Sequence, residues 1–458
     1  MHDTGSVIGR GAEQGRRLFD TWYDDLTQVS ARGETAAYVF VMGSLTELLR
    51  AFDMPIVFPE INSLQTAVKK AAGEYLNEAE DEGFSPDVCG YVKADYALQK
   101  RGGQHPRGMI PKPGVAVLTN ACNTYLKWAE IWERLYGTPV ITVDVPGTRS
   151  GYQTERAPAA GFERDRRYVE HQLHELIAQL ERITGRGFDI DRLRQTMEHT
   201  NAMGRAYRAV MRQNMHTPAA FDAVLEGTIY LGVANALRGT AAGARYFEEL
   251  HEEMRLRRTL GLGPVGASPH EKHRLIFLGV PCYPIFSRFS RLFSDWDGVF
   301  VNSSYLWFAS GGLNMEYEYD TRDPIASLAE GLMHGVRGAM DSMLFHDRLL
   351  LDAVDQYAAD GVVYHPVKSC RTVSTGLADS RRALLAERDV LALYIESDIM
   401  DQRVVSEAQL KNRIDAFFEG LESRRLRSAA AASTAQAIPA AAATPVTPAE
   451  PPAVPAPA

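Results

Sequence analysis

Cysteine is scarce in this chain: four among 458 residues, at positions 89, 122, 282 and 370, with no Cys-x-x-Cys pair. Thiols so few and so far apart make no disulfide framework. Without a paired motif there is neither a zinc ribbon nor a ferredoxin-type ligand run. No apolar run approaches the ~18–20 residues that cross a bilayer, and the opening Met-His-Asp-Thr-Gly-Ser lacks the basic and apolar stretches of a secretory signal. Positive charge is short as well. The 49 Lys and Arg stand against 58 Asp and Glu, a net charge of −9. Phosphate backbones want a basic face, so nucleic acid is excluded as a partner. No Gly-x-x-x-x-Gly-Lys-Ser/Thr occurs, so the chain carries no phosphate loop for ATP, and no Gly-x-Ser-x-Gly supports a serine-hydrolase elbow. These absences leave a soluble, cytoplasmic, enzymatic protein as the expectation.

What is present is an ordinary globular composition, 45% hydrophobic and 23% charged, in a chain long enough for two or three domains. Short β-rich runs at 37–42, 55–59, 114–119 and 139–146 alternate with helical stretches, which reads as βαβ units around a parallel sheet. From 161 the β signal fades. Val169, Leu173, Leu176, Ile177, Leu180 and Ile183 keep helical spacing. A second alternating run follows, with strands at 275–280, 298–302, 361–364 and 391–396. A closing helix opens on the Ser406-Glu-Ala-Gln capping box and presents Leu410, Ile414, Phe417, Phe418 and Leu421 on one side.

The expected fold class is therefore α/β: two parallel-sheet domains of flavodoxin/Rossmann-like type with a helical segment between them. The boundaries are an N-terminal arm at 1–20, a first α/β domain at 21–160, a mainly helical segment at 161–265 and a second α/β domain at 266–427. The last 31 residues, 428–458, hold 14 alanines, 7 prolines and one charge, Glu450. Such a tract buries too little apolar surface to offset its ordering entropy, so a disordered tail is expected.

Two patterns carry no chemistry. Gly261-Leu-Gly-Pro-Val-Gly266 has the dinucleotide spacing, but a helical stretch precedes it and a strand follows, the reverse of what that fingerprint needs. Pro264 also removes an amide. It reads as a linker. His171/His174 and His270/His273 have i, i+3 spacing but no third ligand, and solvated faces account for them.

Three of the cysteines stand where an α/β protein places its chemistry, at the carboxyl ends of strands or the mouths of helices. Cys122 follows the run 114–119 and precedes a helix, Cys370 follows 361–364 and precedes helical residues 375–389, and Cys89 opens a third helix. A helix N-terminus lowers a thiol's pKa toward the metal-binding thiolate. Two readings stand on spacing alone: inert buried thiols, or three ligands of an iron–sulfur cluster with one iron left open. Cys282 also follows a strand, where it is a packed small residue, a replacement ligand or a substrate contact. Ser44 heads a Ser-Leu-Thr-Glu box and reads as a helix cap.

The segments Gly43-Ser-Leu-Thr-Glu-Leu-Leu-Arg-Ala-Phe-Asp-Met54, Phe58-Pro-Glu-Ile-Asn-Ser63, Asp87-Val-Cys-Gly-Tyr-Val-Lys-Ala-Asp95, Asn120-Ala-Cys-Asn-Thr and Lys368-Ser-Cys-Arg, with Glu396-Ser-Asp through Lys411-Asn-Arg, resemble the 2-hydroxyacyl-CoA dehydratase / benzoyl-CoA reductase family. The likeness runs from about residue 35 to 425, and within the family it is to the B-type subunit of ATP-dependent benzoyl-CoA reductases. It implies a heterodimer of related subunits and a [4Fe-4S] cluster held by three cysteines, which fall on Cys89, Cys122 and Cys370. It also implies a separate ATP-hydrolysing iron–sulfur activator and ferredoxin as electron source, in keeping with the missing phosphate loop. The family places an acidic residue near the substrate thioester, and Glu60 occupies that place as a proton donor or acceptor. The implied reaction is reductive dearomatisation of benzoyl-CoA, an aromatic acyl-CoA. The alternatives are dehydration of a 2-hydroxyacyl-CoA or a non-catalytic electron-relay subunit.

Overall fold

The computed structural model describes residues 9–147, 159–265, 270–344 and 346–437. Its first sheet holds β1 (Ala36–Tyr38) and β2 (Ile56–Val57). A small hairpin, β3 (Gln104–His105) and β4 (Gly108–Met109), precedes β5 (Pro113–Thr119) and β6 (Val140–Val143). β1, β2, β5 and β6 are all parallel, in the order β2-β1-β5-β6. The second sheet holds β7 (His273–Gly279), β8 (Gly298–Ser303), β9 (Gly361–His365) and β10 (Leu391–Tyr394), parallel in the order β10-β9-β7-β8. Taken from one edge, the first sheet runs 2-1-3-4 in its own chain order and the second, from its β8 edge, does the same. That is the order of a flavodoxin-like sheet, whose ligand crevice lies beyond the carboxyl ends of strands 1 and 3. The two switch points are therefore β1/β5 and β7/β9. All eight expected parallel strands are present, and the α/β fold class is borne out.

Both faces of the second sheet are covered. Leu275, Phe277, Phe300, Val363 and Leu393 join one core cluster, while their neighbours Ile276, Leu278, Val299, Val301, Val362 and Tyr364 join another. This two-sided burial is why these strands read as unbroken apolar runs rather than as alternation.

Between the sheets run four helices, Ala159–Thr184, Ile190–Gln213, Leu225–Ala236 and Ala241–Thr259. The spaced apolar residues Val169, Leu173, Leu176 and Leu180 are buried. The first helix, Arg10–Val29, runs across residue 20. It docks on this layer: Gly9 and Gly11 donate their amides to Glu253, and the Tyr246 hydroxyl donates to the Gly11 carbonyl. The closing helix, Glu407–Ala437, buries Leu410, Ile414, Phe417, Phe418 and Leu421. It continues ten residues into the Ala/Pro tract, because alanine is the best helix former and the prolines begin only at 439. The rest of the expected tail, the first eight residues of the arm, and Gly266 lie outside the described residues.

Two local expectations differ, and one hairpin was not expected. Ser44 does not cap the helix Thr46–Ala51. Leu45 occupies that position in a left-handed conformation, and the Ser44 hydroxyl instead meets the Thr46 hydroxyl at 2.7 Å. The hairpin β3/β4 has no apolar alternation to announce it. His273 is buried on β7 and meets Glu422 at 3.0 Å, so it does not lie on a solvated face.

Candidate active site

Each cysteine singled out by the resemblance is the residue immediately before a helix. Cys89 precedes Gly90–Lys100, Cys122 precedes Asn123–Tyr136 and Cys370 precedes the short turn Arg371–Ser374. Cys122 lies beyond the end of β5 and Cys370 beyond the end of β9, at the two switch points. The fold brings them together from both halves of the chain. Cys122 Sγ lies 2.8 Å from the Thr124 hydroxyl and 3.6 Å from that of Thr372, two residues past Cys370. Cys89 is influenced electrostatically by Cys370 and Cys122, and Cys370 by Cys122. Cys282 is wholly buried beyond β7 beside Ser397, and burial pushes its thiol up to about 11. No other cysteine is among the groups that shift it.

Helix starts were expected to lower the pKa of these thiols, and at two of them the sign is reversed. Cys89 and Cys370 are half-buried as residues, but burial of the sulfur raises Cys89 well above the ordinary thiol range and Cys370 up to about 12. Neighbouring thiols add to the rise. The amides of Tyr91 and Val92 oppose it at Cys89, and those of Val373 and Thr372 at Cys370. No amide closes a hydrogen bond of normal geometry on either sulfur, so desolvation wins.

Two buried carboxyl groups fasten the cysteine-bearing segments. Asp95 lies on the helix that Cys89 precedes. Its Oδ2 accepts the indole N–H groups of Trp128 and Trp132, 2.7 Å each, and its Oδ1 accepts the Gln99 amide at 3.1 Å. Both tryptophans lie on the helix that Cys122 precedes, so one carboxyl ties the two helices. Burial still pushes it up to about 6 against those three donors. Asp398, 1% exposed, accepts the amides of Ser369 (2.9 Å), Met400 (2.8 Å) and Asp401 (3.0 Å). The Lys368 amide donates to the Ser397 carbonyl at 2.9 Å. These bonds pin the loop carrying Cys370 to the segment after β10. Gly90 completes the join, because a Cβ there would stand 2.7 Å from the Met400 side chain.

Glu60 is at the start of the helix Pro59–Val68, just past β2, and is 7% exposed. Tyr125 donates its hydroxyl to Oε1 at 2.6 Å, and the Val41 amide donates to Oε2 at 2.9 Å. Tyr125 sits one turn into the Cys122 helix, so the carboxyl and that cysteine share a support. Burial outweighs both donors and the helix start, pushing Glu60 up to about 7. Such a carboxyl exchanges its proton near neutrality. Tyr91 and Tyr305 feel its charge, and Tyr283 lies beside Tyr305. These tyrosines, with Tyr125, Asp95 and Asp398, were not assigned roles from the sequence. Tyr125 and Asp95 stand close to or within the quoted motifs, three residues after Cys122 and six after Cys89. Tyr283 and Tyr305 come from the far half of the chain, where no spacing points to them.

Residues 44–421 match the family described as 2-hydroxyglutaryl-CoA dehydratase, D-component. The B-type subunit of benzoyl-CoA reductase from Thauera aromatica is 33% identical over 421 residues, 90% of this chain and 94% of that one. The (R)-2-hydroxyisocaproyl-CoA dehydratase alpha subunit of Clostridioides difficile is 25% identical, and the (R)-phenyllactyl-CoA dehydratase alpha subunit of Clostridium sporogenes 26%. Each of those matches covers 83% of this chain and 88% of the relative.

Proposed function

The chain belongs to the 2-hydroxyglutaryl-CoA dehydratase, D-component, family, and on that premise we propose that it is the B-type subunit of a benzoyl-CoA reductase. In this reading Cys89, Cys122 and Cys370 hold a [4Fe-4S] cluster, a related subunit completes a cytoplasmic heterodimer, and a separate ATP-hydrolysing iron–sulfur activator delivers electrons from ferredoxin. The observation that supports it is that three free thiols from distant segments, Cys122 beyond β5, Cys370 beyond β9 and Cys89 at the start of its helix, lie near enough for Cys122 and Cys370 to act on Cys89 and for Cys122 to act on Cys370.

Among the described residues no three His, Cys, Asp or Glu side chains are set to grip a single metal ion. The donor set nonetheless fits a cluster. All three donors are soft thiols, and a body several atoms wide takes its ligands farther apart than one ion does. When bound, such a cluster supplies single electrons at a potential that burial and hydrogen bonding to its sulfurs set. The chain's own residues supply the rest. Asp95 and Asp398 hold the three thiols in register, the tyrosines beside Glu60 exclude water, and Glu60 holds or releases a proton near the thioester.

Identity of 33% to a benzoyl-CoA reductase subunit, against 25% and 26% to the two dehydratase subunits, supports ring reduction over dehydration. The test offers benzoyl-CoA and a 2-hydroxyacyl-CoA side by side to the complex assembled with partner subunits, reduced ferredoxin and ATP. A cyclic diene-carboxyl-CoA is the expected product. Dehydration without ring reduction moves the chain to the dehydratase branch, and neither activity, with the cluster intact, favours an electron-relay role.

A further inference from the structure

Among the described residues, eight buried side-chain polar atoms have no hydrogen-bond partner, and two of them are the hydroxyls of Tyr91 and Tyr283, beside the candidate site. The residues are 9% and 1% exposed. A phenol hydroxyl removed from water without a hydrogen bond of normal geometry is an unfavourable arrangement that calls for an acceptor. These two come from opposite halves of the chain. Tyr91 follows Cys89 by two residues, and its carbonyl is gripped by the Ser63 hydroxyl at 2.8 Å, on the same helix as Glu60. Tyr283 opens the 3₁₀ turn Tyr283–Ile285 beyond β7, and the next residue's carbonyl takes the Lys70 ammonium at 3.0 Å.

Tyr305, beyond the end of β8, stands between them. Its hydroxyl faces both, though no hydrogen bond of normal geometry closes, and it feels the charge of Glu60. Its ring meets that of Tyr283 edge-on with centroids 6.5 Å apart. A phenol keeps its proton near neutral pH, its ordinary pKa being about 10, so all three hydroxyls can act as donors. No lysine or arginine is among the groups that shift Tyr283 or Tyr305. Paired neutral donors without a countercharge suit a neutral oxygen that gains negative charge during reaction; a carboxylate or phosphate would call for a cation. A carbonyl oxygen has two lone pairs to take both donors.

We infer that the Tyr91 and Tyr283 hydroxyls donate to the thioester carbonyl oxygen of the bound acyl-CoA, with Tyr305 linking them to the Glu60 carboxyl. The inference rests on the acyl-CoA reading above. It places the carbonyl where both sheets' carboxyl ends meet, between a proton-exchanging carboxyl and the Cys89 segment. The two tyrosines thereby fix which face of the thioester Glu60 can reach.

The test uses the full chain assembled with its partner subunit, and benzoyl-CoA carrying ¹³C at the thioester carbonyl, read by isotope-edited infrared difference spectroscopy. In the unsubstituted complex the carbonyl band of the bound ester lies below that of the free ester. Tyr91→Phe and Tyr283→Phe keep the ring packing and remove one donor each, so each returns part of the shift and the double variant returns nearly all of it. Turnover falls about 10²-fold or more for each hydroxyl, the scale of losing one oxyanion donor. A bound ester whose band is the same in the variants as in the parent overturns the inference and leaves the acyl-CoA reading standing. A parent complex that binds neither labelled benzoyl-CoA nor a labelled 2-hydroxyacyl-CoA overturns both.

Discussion

Removing the Asp95 carboxyl should destabilise the join between two cysteine-bearing helices by an amount the structure allows to be worked out. In Asp95→Ala the Trp128 and Trp132 indoles, both essentially unexposed, lose the acceptor they share. Each buried donor left unpaired costs about 1–3 kcal/mol, so the pair amounts to about 2–6 kcal/mol, a large share of a typical domain's ~5–15 kcal/mol. Asp95→Asn differs, because its amide oxygen still accepts both indoles and it never places a charge in the core. The pH dependence separates the two effects. With the folded carboxyl raised to about 6 and an unfolded value near ~3.9, the folded state binds a proton that the unfolded chain has released. Asp95 therefore makes stability fall as pH rises from ~4 to ~6. About two pK units correspond to at most about 3 kcal/mol. Urea unfolding followed by tryptophan fluorescence at pH 5 and pH 8 reads both quantities. Asp95→Ala should lose stability at each pH, whereas Asp95→Asn should lose little at pH 8 and show a flatter pH slope than the parent. Parent-like stability in Asp95→Ala, or an unchanged slope in Asp95→Asn, would refute the reasoning.

Glu60→Gln should lower turnover about 10²–10⁴-fold, the usual worth of a general acid–base group, while iron content stays normal. The parent's rate should also lose a limb near pH 7, where the buried carboxyl gives up its proton, and the variant should lack that limb. Asp398→Ala frees the amides of Ser369, Met400 and Asp401, so the Cys370 loop should slip and iron retained per chain should fall, as colorimetric assay of gel-filtered complex would record. Truncation after Arg427 removes residues past Leu421, the last buried one among the described residues, so cluster content and activity should stay near those of the full chain in the same assays.

Much of the fold was legible because its signals are local. The parallel strands announce themselves as short apolar runs, and the helical layer as a 3.6-residue period. The family likeness, carried by motifs around the cysteines, is borne out by the match over 44–421. Sequence reasoning failed where one physical term overruled another. The thiol shifts show desolvation prevailing over helix amides, which no sequence reveals without the burial. Asp95 and Asp398 lie within the quoted motifs, but their contacts were hidden for another reason. Asp95 meets indoles 33 and 37 residues away, and Asp398 an amide 29 residues away. Tyr91, Tyr283 and Tyr305 come from segments too far apart in the chain for any spacing to link them.

The central claim, three thiols holding one cluster, is tested most directly by counting iron and sulfide in anaerobically purified complexes of four single variants. Cys89→Ala, Cys122→Ala and Cys370→Ala should each lose about four irons and four sulfides relative to the parent complex, the content of one [4Fe-4S] cluster. Cys282→Ala, whose thiol packs in the core apart from the other three, should keep them. A Cys282 variant that loses the iron, beside a Cys89 variant that retains it, would contradict the account.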